Sequence, residues 1–119
     1  MGNTDKIHQM GLYEEYLESI KQQTKWIEVR LNDEKRQKIK IGDFIEFTKV
    51  PQLDESIIVK VTDLKKYKSF KDMYLDSPFA AFGCEGWTLE ELVKGTYEIY
   101  SIDQEREFGA LAIGVKYID

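Results

Sequence analysis

The chain has a single cysteine, Cys84, and a single histidine, His8. One thiol makes no internal disulfide, and one thiol with one imidazole falls short of a structural zinc set, so a reducing compartment and no metal are expected. Long apolar runs are missing too. The longest, residues 109–115, is far short of the roughly 20 residues that a membrane helix needs. Residues 1–9 have neither the apolar stretch nor the small-residue cleavage site of a signal peptide. A cytoplasmic protein with no membrane contact and no cofactor is the expectation. Positive charge is in deficit, with 17 Lys and Arg against 22 Asp and Glu and a formal net charge of −5. Non-specific affinity for nucleic acid comes largely from counterions displaced by Lys and Arg, so duplex DNA is not expected as a partner. Two local basic clusters remain: Lys35, Arg36, Lys38 and Lys40, then Lys65, Lys66, Lys68 and Lys71. Short runs of this kind are ordinarily solvated turns and helix ends.

What is present is enough for one folded domain. A chain of 119 residues buries roughly two-thirds of its unfolded surface, and residues 7–118 read as the domain behind a tail at 1–6. Residues 7–10 are either a short strand or the approach to a helix. Leu12, Tyr13, Tyr16, Leu17 and Ile20 then recur at helical spacing, which predicts an amphipathic helix over 12–23. Strands are expected at 25–31, 44–48, 56–62 and 110–117, with 97–101 either a strand or an extended connection. Ser69–Asp72 and Thr88–Glu91 carry capping-box spacing for two further helices, with Gly95 placed to stop the second. Connections between 31 and 56 are too brief for parallel crossovers, so the expected class is α+β, a small and mostly antiparallel barrel framed by about three helices.

The segment Thr24-Lys25-Trp26-Ile27-Glu28-Val29-Arg30-Leu31 has the β-branched and aromatic content of a strand, yet it holds three ionisable groups. Strand alternation puts Trp26, Glu28 and Arg30 on one face. Lys25, at the strand's start, can curl round the end towards Glu28. A Lys–Glu–Arg cluster follows from that placement, against the plainer alternative of an exposed ion-pair ladder worth about 0 to 1 kcal/mol per pair.

Taken in order, the first helix, Lys25–Arg30, the charged turn Asp33-Glu34-Lys35-Arg36, Ile41-Gly42-Asp43-Phe44 and the terminal Gly109-Ala110-Leu111-Ala112-Ile113 resemble the activating signal cointegrator homology (ASCH) domain over nearly the whole chain. The resemblance implies a PUA-like β-barrel with a polar cleft for RNA or a nucleotide-like small molecule. One branch of that family, the bacterial acetylcytidine amidohydrolases, uses a Lys, a Thr nucleophile and a Glu ahead of a Thr-Leu-x-Glu-Leu helix start. Those positions fall on Lys25, Glu28 and Glu85, so Glu28 stands where the hydrolases keep Thr.

Two function classes follow. In a binding protein, Lys25, Trp26, Glu28, Arg30, Glu85 and His8 line the cleft. In an enzyme, an amidohydrolase acting on an acylated nucleoside or a metal-independent ribonuclease, Glu28 activates water, Lys25 stabilises the oxyanion and Glu85 protonates the leaving group. Each residue also has a plainer reading. Glu85 complements a helix dipole, His8 packs or belongs to the tail, Cys84 is a small buried hydrophobe, and Trp26 and Trp87 fill core rather than stack on a base.

Overall fold

A computed structural model describes residues 6–118, so the expected tail at 1–6 lies outside the described residues apart from Lys6. Five strands and four α-helices follow in the order β1 (Ile7–Tyr13), α1 (Glu14–Lys21), β2 (Ile27–Leu31), β3 (Phe44–Val50), β4 (Ser56–Tyr67), α2 (Phe70–Leu75), α3 (Leu89–Tyr97), α4 (Ile102–Phe108) and β5 (Ala110–Ile118). They form one sheet with the order β1-β3-β4-β5-β2. Three of its four pairings are antiparallel, and β1 lies parallel to β3. The sheet curls into a half-barrel framed by three helices of seven or more residues and the shorter α2, the α+β architecture expected from the sequence.

Strand alternation sets the inner face. Ile45 and Phe47 of β3, Ile57, Val59 and Val61 of β4, and Leu111, Ile113 and Val115 of β5 share one core with Met10 and Leu12 of β1 and Leu17 and Ile20 of α1. On the opposite face of β5 the side chains shrink to Ala110 and Ala112, and a second core collects there around Leu31, Phe70, Met73, Tyr74, Phe82 and Leu92. Small residues on that face let the helical segments approach the sheet closely. Tyr16 packs against both cores.

The structure departs from the pattern-based expectation in five places, the first being Gly95, which lies inside α3 and does not stop it, since the helix continues to Tyr97. Leu12 and Tyr13 end β1 instead of opening α1, because the main chain there pairs with Lys49 and Val50. The strand expected from Lys25 begins at Ile27. The third strand runs on to Tyr67, past a register shift between Val61 and Asp63. Residues 97–101 are neither strand nor extended link; they finish α3 and turn into α4, whose cap is a second capping box formed by Ser101 and Gln104.

Candidate functional site

The two edge strands of the sheet are β1 and β2, and the space between them is the open seam of the half-barrel. The end of α1 feeds the chain into this seam: the Lys25 N–H donates to the Ser19 carbonyl, the Trp26 N–H to Ala81, and the Trp26 carbonyl accepts from Val115. These backbone bonds fix residue 25 between α1 and the 79–82 turn. Gly83 completes the mould. It has φ +78°, and a Cβ there would sit 3.2 Å from Lys25 Cδ, so only glycine leaves the lysine stem its place at no steric cost.

Lys25, Glu28 and Arg30 meet in this seam. The Lys25 ammonium lies 3.2 Å from Glu28 Oε1, and it donates to the Ile27 carbonyl at 2.7 Å and the Phe82 carbonyl at 3.0 Å. All three of its protons have acceptors. Arg30 Nε donates to Glu28 Oε2 at 2.7 Å, and Nη2 reaches across to the Gly11 carbonyl of β1 at 2.6 Å. The side chains are 3%, 7% and 13% exposed in that order, so this is not a surface ladder. Burial works to raise the Glu28 pKa, but Lys25 and Arg30 outweigh it and hold the carboxyl below its ordinary value. The Lys25 ammonium also lies 5.3 Å from the centroid of the Tyr16 ring, and the Arg30 guanidinium 5.9 Å from that of Phe47.

A cavity of about 380 Å³ opens on this cluster, between β1, α1, β2 and α3, where the two cores meet. Its volume falls within the usual span of small-molecule sites, roughly 300 to 1,000 Å³. Tyr16, Tyr74, Phe82, Trp87 and Tyr100 supply ring surface to its walls. The Tyr74 hydroxyl is 2.7 Å from Thr96 Oγ1, which itself donates to the Leu92 carbonyl. Burial pushes the Tyr74 phenol up to about 12, and burial likewise raises the Tyr16 phenol and the Cys84 thiol. These walls are therefore neutral at physiological pH.

The remaining sequence-derived residues are distributed around this site. Glu85 is exposed and does not line the cavity, although its neighbours Cys84 and Trp87 do. Trp26 is 46% exposed and lies outside the lining. Its main chain is committed on both sides to Ala81 and Val115, and it precedes the strand instead of sharing the Glu28 face. Of the two tryptophans, Trp87 is the one at the cavity. His8 on β1 pairs with Asp43 at 2.8 Å and does not reach the lining. Burial acts to raise the Asp43 pKa, but the His8 bond and the Lys40 and Lys6 N–H groups bring it below its ordinary value. The pattern reading missed Tyr16, Tyr74 and Tyr100 as cavity walls. Helical spacing places Tyr16 only on a helix face, and the other two depend on how α2 and α3 pack.

The basic clusters are partly neutralised. Arg36 bonds Asp33 at 2.7 Å, and Asp76 takes both Lys65 at 3.0 Å and the Tyr67 hydroxyl at 2.6 Å. Among the described residues, no group of three or more His, Cys, Asp and Glu is placed to hold a metal ion, and no helix is long and apolar enough to cross a membrane.

The ASCH domain model matches residues 10–119, nearly the whole chain. The chain belongs to the ASCH domain family. Two solved structures are similar over almost their full length. The crystal structure of hypothetical protein PH0355 is 38% identical with a TM-score of 0.84, covering 95% of this chain and 99% of that one. The solution NMR structure of protein PF0455 from Pyrococcus furiosus is 33% identical with a TM-score of 0.77, covering 95% and 98%. A crystal structure of the ZmASCH S128A mutant protein from Zymomonas mobilis is 13% identical, with a TM-score of 0.58 over 94% of this chain and 70% of that one, and shares the ASCH fold. No curated protein matches the chain.

Proposed function

We propose that this ASCH domain binds RNA or a nucleotide-like small molecule, with a base held in the seam cavity. The observation that carries the reading is the cavity itself, in which ring walls from Tyr16, Trp87 and Tyr100 face the buried Lys25–Glu28–Arg30 cluster. Aromatic surface stacks on any base, at roughly 1 to 3 kcal/mol per base in single-strand binders. Fixed polar groups at the end of such a slot orient what enters. The overall charge of −5 favours a small ligand or the end of a single strand over a long duplex.

Binding is preferred to hydrolysis because the cleft offers no primed nucleophile or base. Both Glu28 oxygens are engaged by cations and its carboxyl is held below its ordinary value, which makes it a weak acceptor of a water proton. The Thr24 hydroxyl bonds the Ser19 carbonyl at the end of α1, and the Cys84 thiol is raised by burial and directed to the Phe82 carbonyl. The enzymatic reading keeps the Lys25 and Glu85 positions of the amidohydrolase branch, and the same sample tests it.

The test is a titration of the protein with nucleosides, nucleotides and short single-stranded RNA at low salt, followed by tryptophan fluorescence and by mass spectrometry of the ligands. Saturable quenching that Trp87→Phe removes, with every ligand recovered intact, is the expected result. Release of acetate from acetylcytidine, or shortening of the RNA, would replace the binding reading with an enzymatic one.

A further inference from the structure

Among the described residues that line the cavity, only Lys25, Glu28 and Arg30 carry formal charge. Two cations share one carboxylate. Both Glu28 oxygens are already taken, one by each cation, and the Lys25 ammonium has its full set of acceptors. Arg30 does not. Its Nε and Nη2 are bonded, while Nη1 has no partner among the described residues, and Arg30 lines the cavity. The remaining lining is aliphatic, aromatic or neutral hydroxyl and thiol. The carboxylate of Glu15, on the exposed side of α1, acts on Tyr16 and Cys84, but water screens it.

The slot therefore carries one net positive charge beside its ring walls, and the Arg30 side chain that completes it is still 13% exposed. An anion entering the slot is drawn by that net charge and finds a guanidinium edge suited to a carboxylate or phosphate. From this charge balance we infer that the cavity selects ligands carrying an anionic oxy group, carboxylate or phosphate, attached to a flat ring, with that group seated on Arg30. The inference deepens the nucleotide-binding reading and rests on the same cavity: a nucleotide fits it, and an uncharged nucleoside fills the slot without satisfying Arg30.

Three probes separate the two ideas: uridine, uridine 5′-monophosphate and benzoate, each titrated into the full chain at low ionic strength. The expected result is that the monophosphate binds at least tenfold more tightly than uridine and that benzoate competes with it. Arg30→Gln closes the gap between the two, and Arg30→Lys keeps part of it; circular dichroism checks that both variants are folded. The comparison on the unaltered protein decides the matter even if neither variant folds. Equal affinity for uridine and its monophosphate overturns the anion site and leaves base binding standing. Benzoate binding without either uridine compound supports the anion site and removes the nucleotide reading. Failure of all three probes to bind overturns both.

Discussion

Arg30 on β2 donates from Nη2 to the Gly11 carbonyl on β1 at 2.6 Å, so a single guanidinium ties together the two edges of the sheet. The same side chain holds Glu28 and faces the cavity. Stability and recognition therefore share one residue, and an Arg30 variant must be assayed for both.

Replacing Arg30 with Met removes the charge while keeping much of the volume. It leaves Glu28 with one cation and the Gly11 carbonyl without its donor. Breaking a buried pair by removing one partner costs about 3 to 5 kcal/mol. The 13% exposure of Arg30 places the expected loss towards the lower end of that range, read as a fall in urea midpoint with little change in m-value. A midpoint within experimental error of the parent would mean that the seam is held elsewhere.

Glu28 sets a pH dependence of definite sign. Its carboxyl is held below the ordinary 4.5 in the folded protein, so the unfolded chain binds the proton first as the solution is acidified. The stability it contributes is full above about pH 4.5 and is lost as pH falls through the lower folded value. Asp43 and Asp76, both lowered from 3.8, act in the same direction. Glu28→Gln is expected to be less stable at pH 7 and to lose less stability than the parent between about pH 5 and pH 2. Parallel stability curves for the two proteins over that interval would contradict this account.

Gly83→Ala tests the mould around Lys25. The added Cβ would lie 3.2 Å from Lys25 Cδ, on a backbone at φ +78°. A left-handed conformation costs a non-glycine residue of order 1 to 3 kcal/mol. The expected result is a comparable fall in unfolding free energy together with weakened ligand binding. Unchanged stability would show that the turn relaxes freely.

Glu105 carries the role of α4, the helix that pattern reading passed over. Buried at the middle of α4, its Oε2 accepts the Phe70 N–H at 2.8 Å and its Oε1 the Tyr97 hydroxyl at 2.7 Å, joining α4 to the starts of α2 and the end of α3. Glu105→Ala strands a buried N–H, and an unsatisfied group of that kind costs about 1 to 3 kcal/mol. Hydrogen exchange at the Phe70 amide is expected to quicken in the variant, and protection equal to the parent's would remove Glu105 from this role.

What was legible in the sequence follows from periodicity and its reach. Alternation at Ile57, Val59 and Val61, and at Leu111, Ile113 and Val115, placed β4 and β5 with their inner faces, since a period of two has one reading when a face is buried. The excess of charge at Lys25, Glu28 and Arg30 marked the seam because a strand-forming segment rarely carries three ions. α4 escaped because Asp103, Gln104, Glu105 and Arg106 have no apolar repeat; only the Ser101–Gln104 cap announces it. The position of Glu85 outside the lining and of Trp87 within it depends on the turn at 84–87, where the Trp87 N–H returns to the Cys84 carbonyl. No spacing rule specifies how that turn is oriented on the sheet.

The central claim, that the ring-walled seam over Arg30 is where the ligand sits, is tested most directly by an amide and side-chain NMR titration with uridine 5′-monophosphate at low salt. Saturable shifts at Arg30 Nε, the Trp87 indole, Gly95 and Thr96 are the predicted result. Shifts confined to the lysines at 35–40 or 65–71, with the cavity signals unmoved, would contradict it.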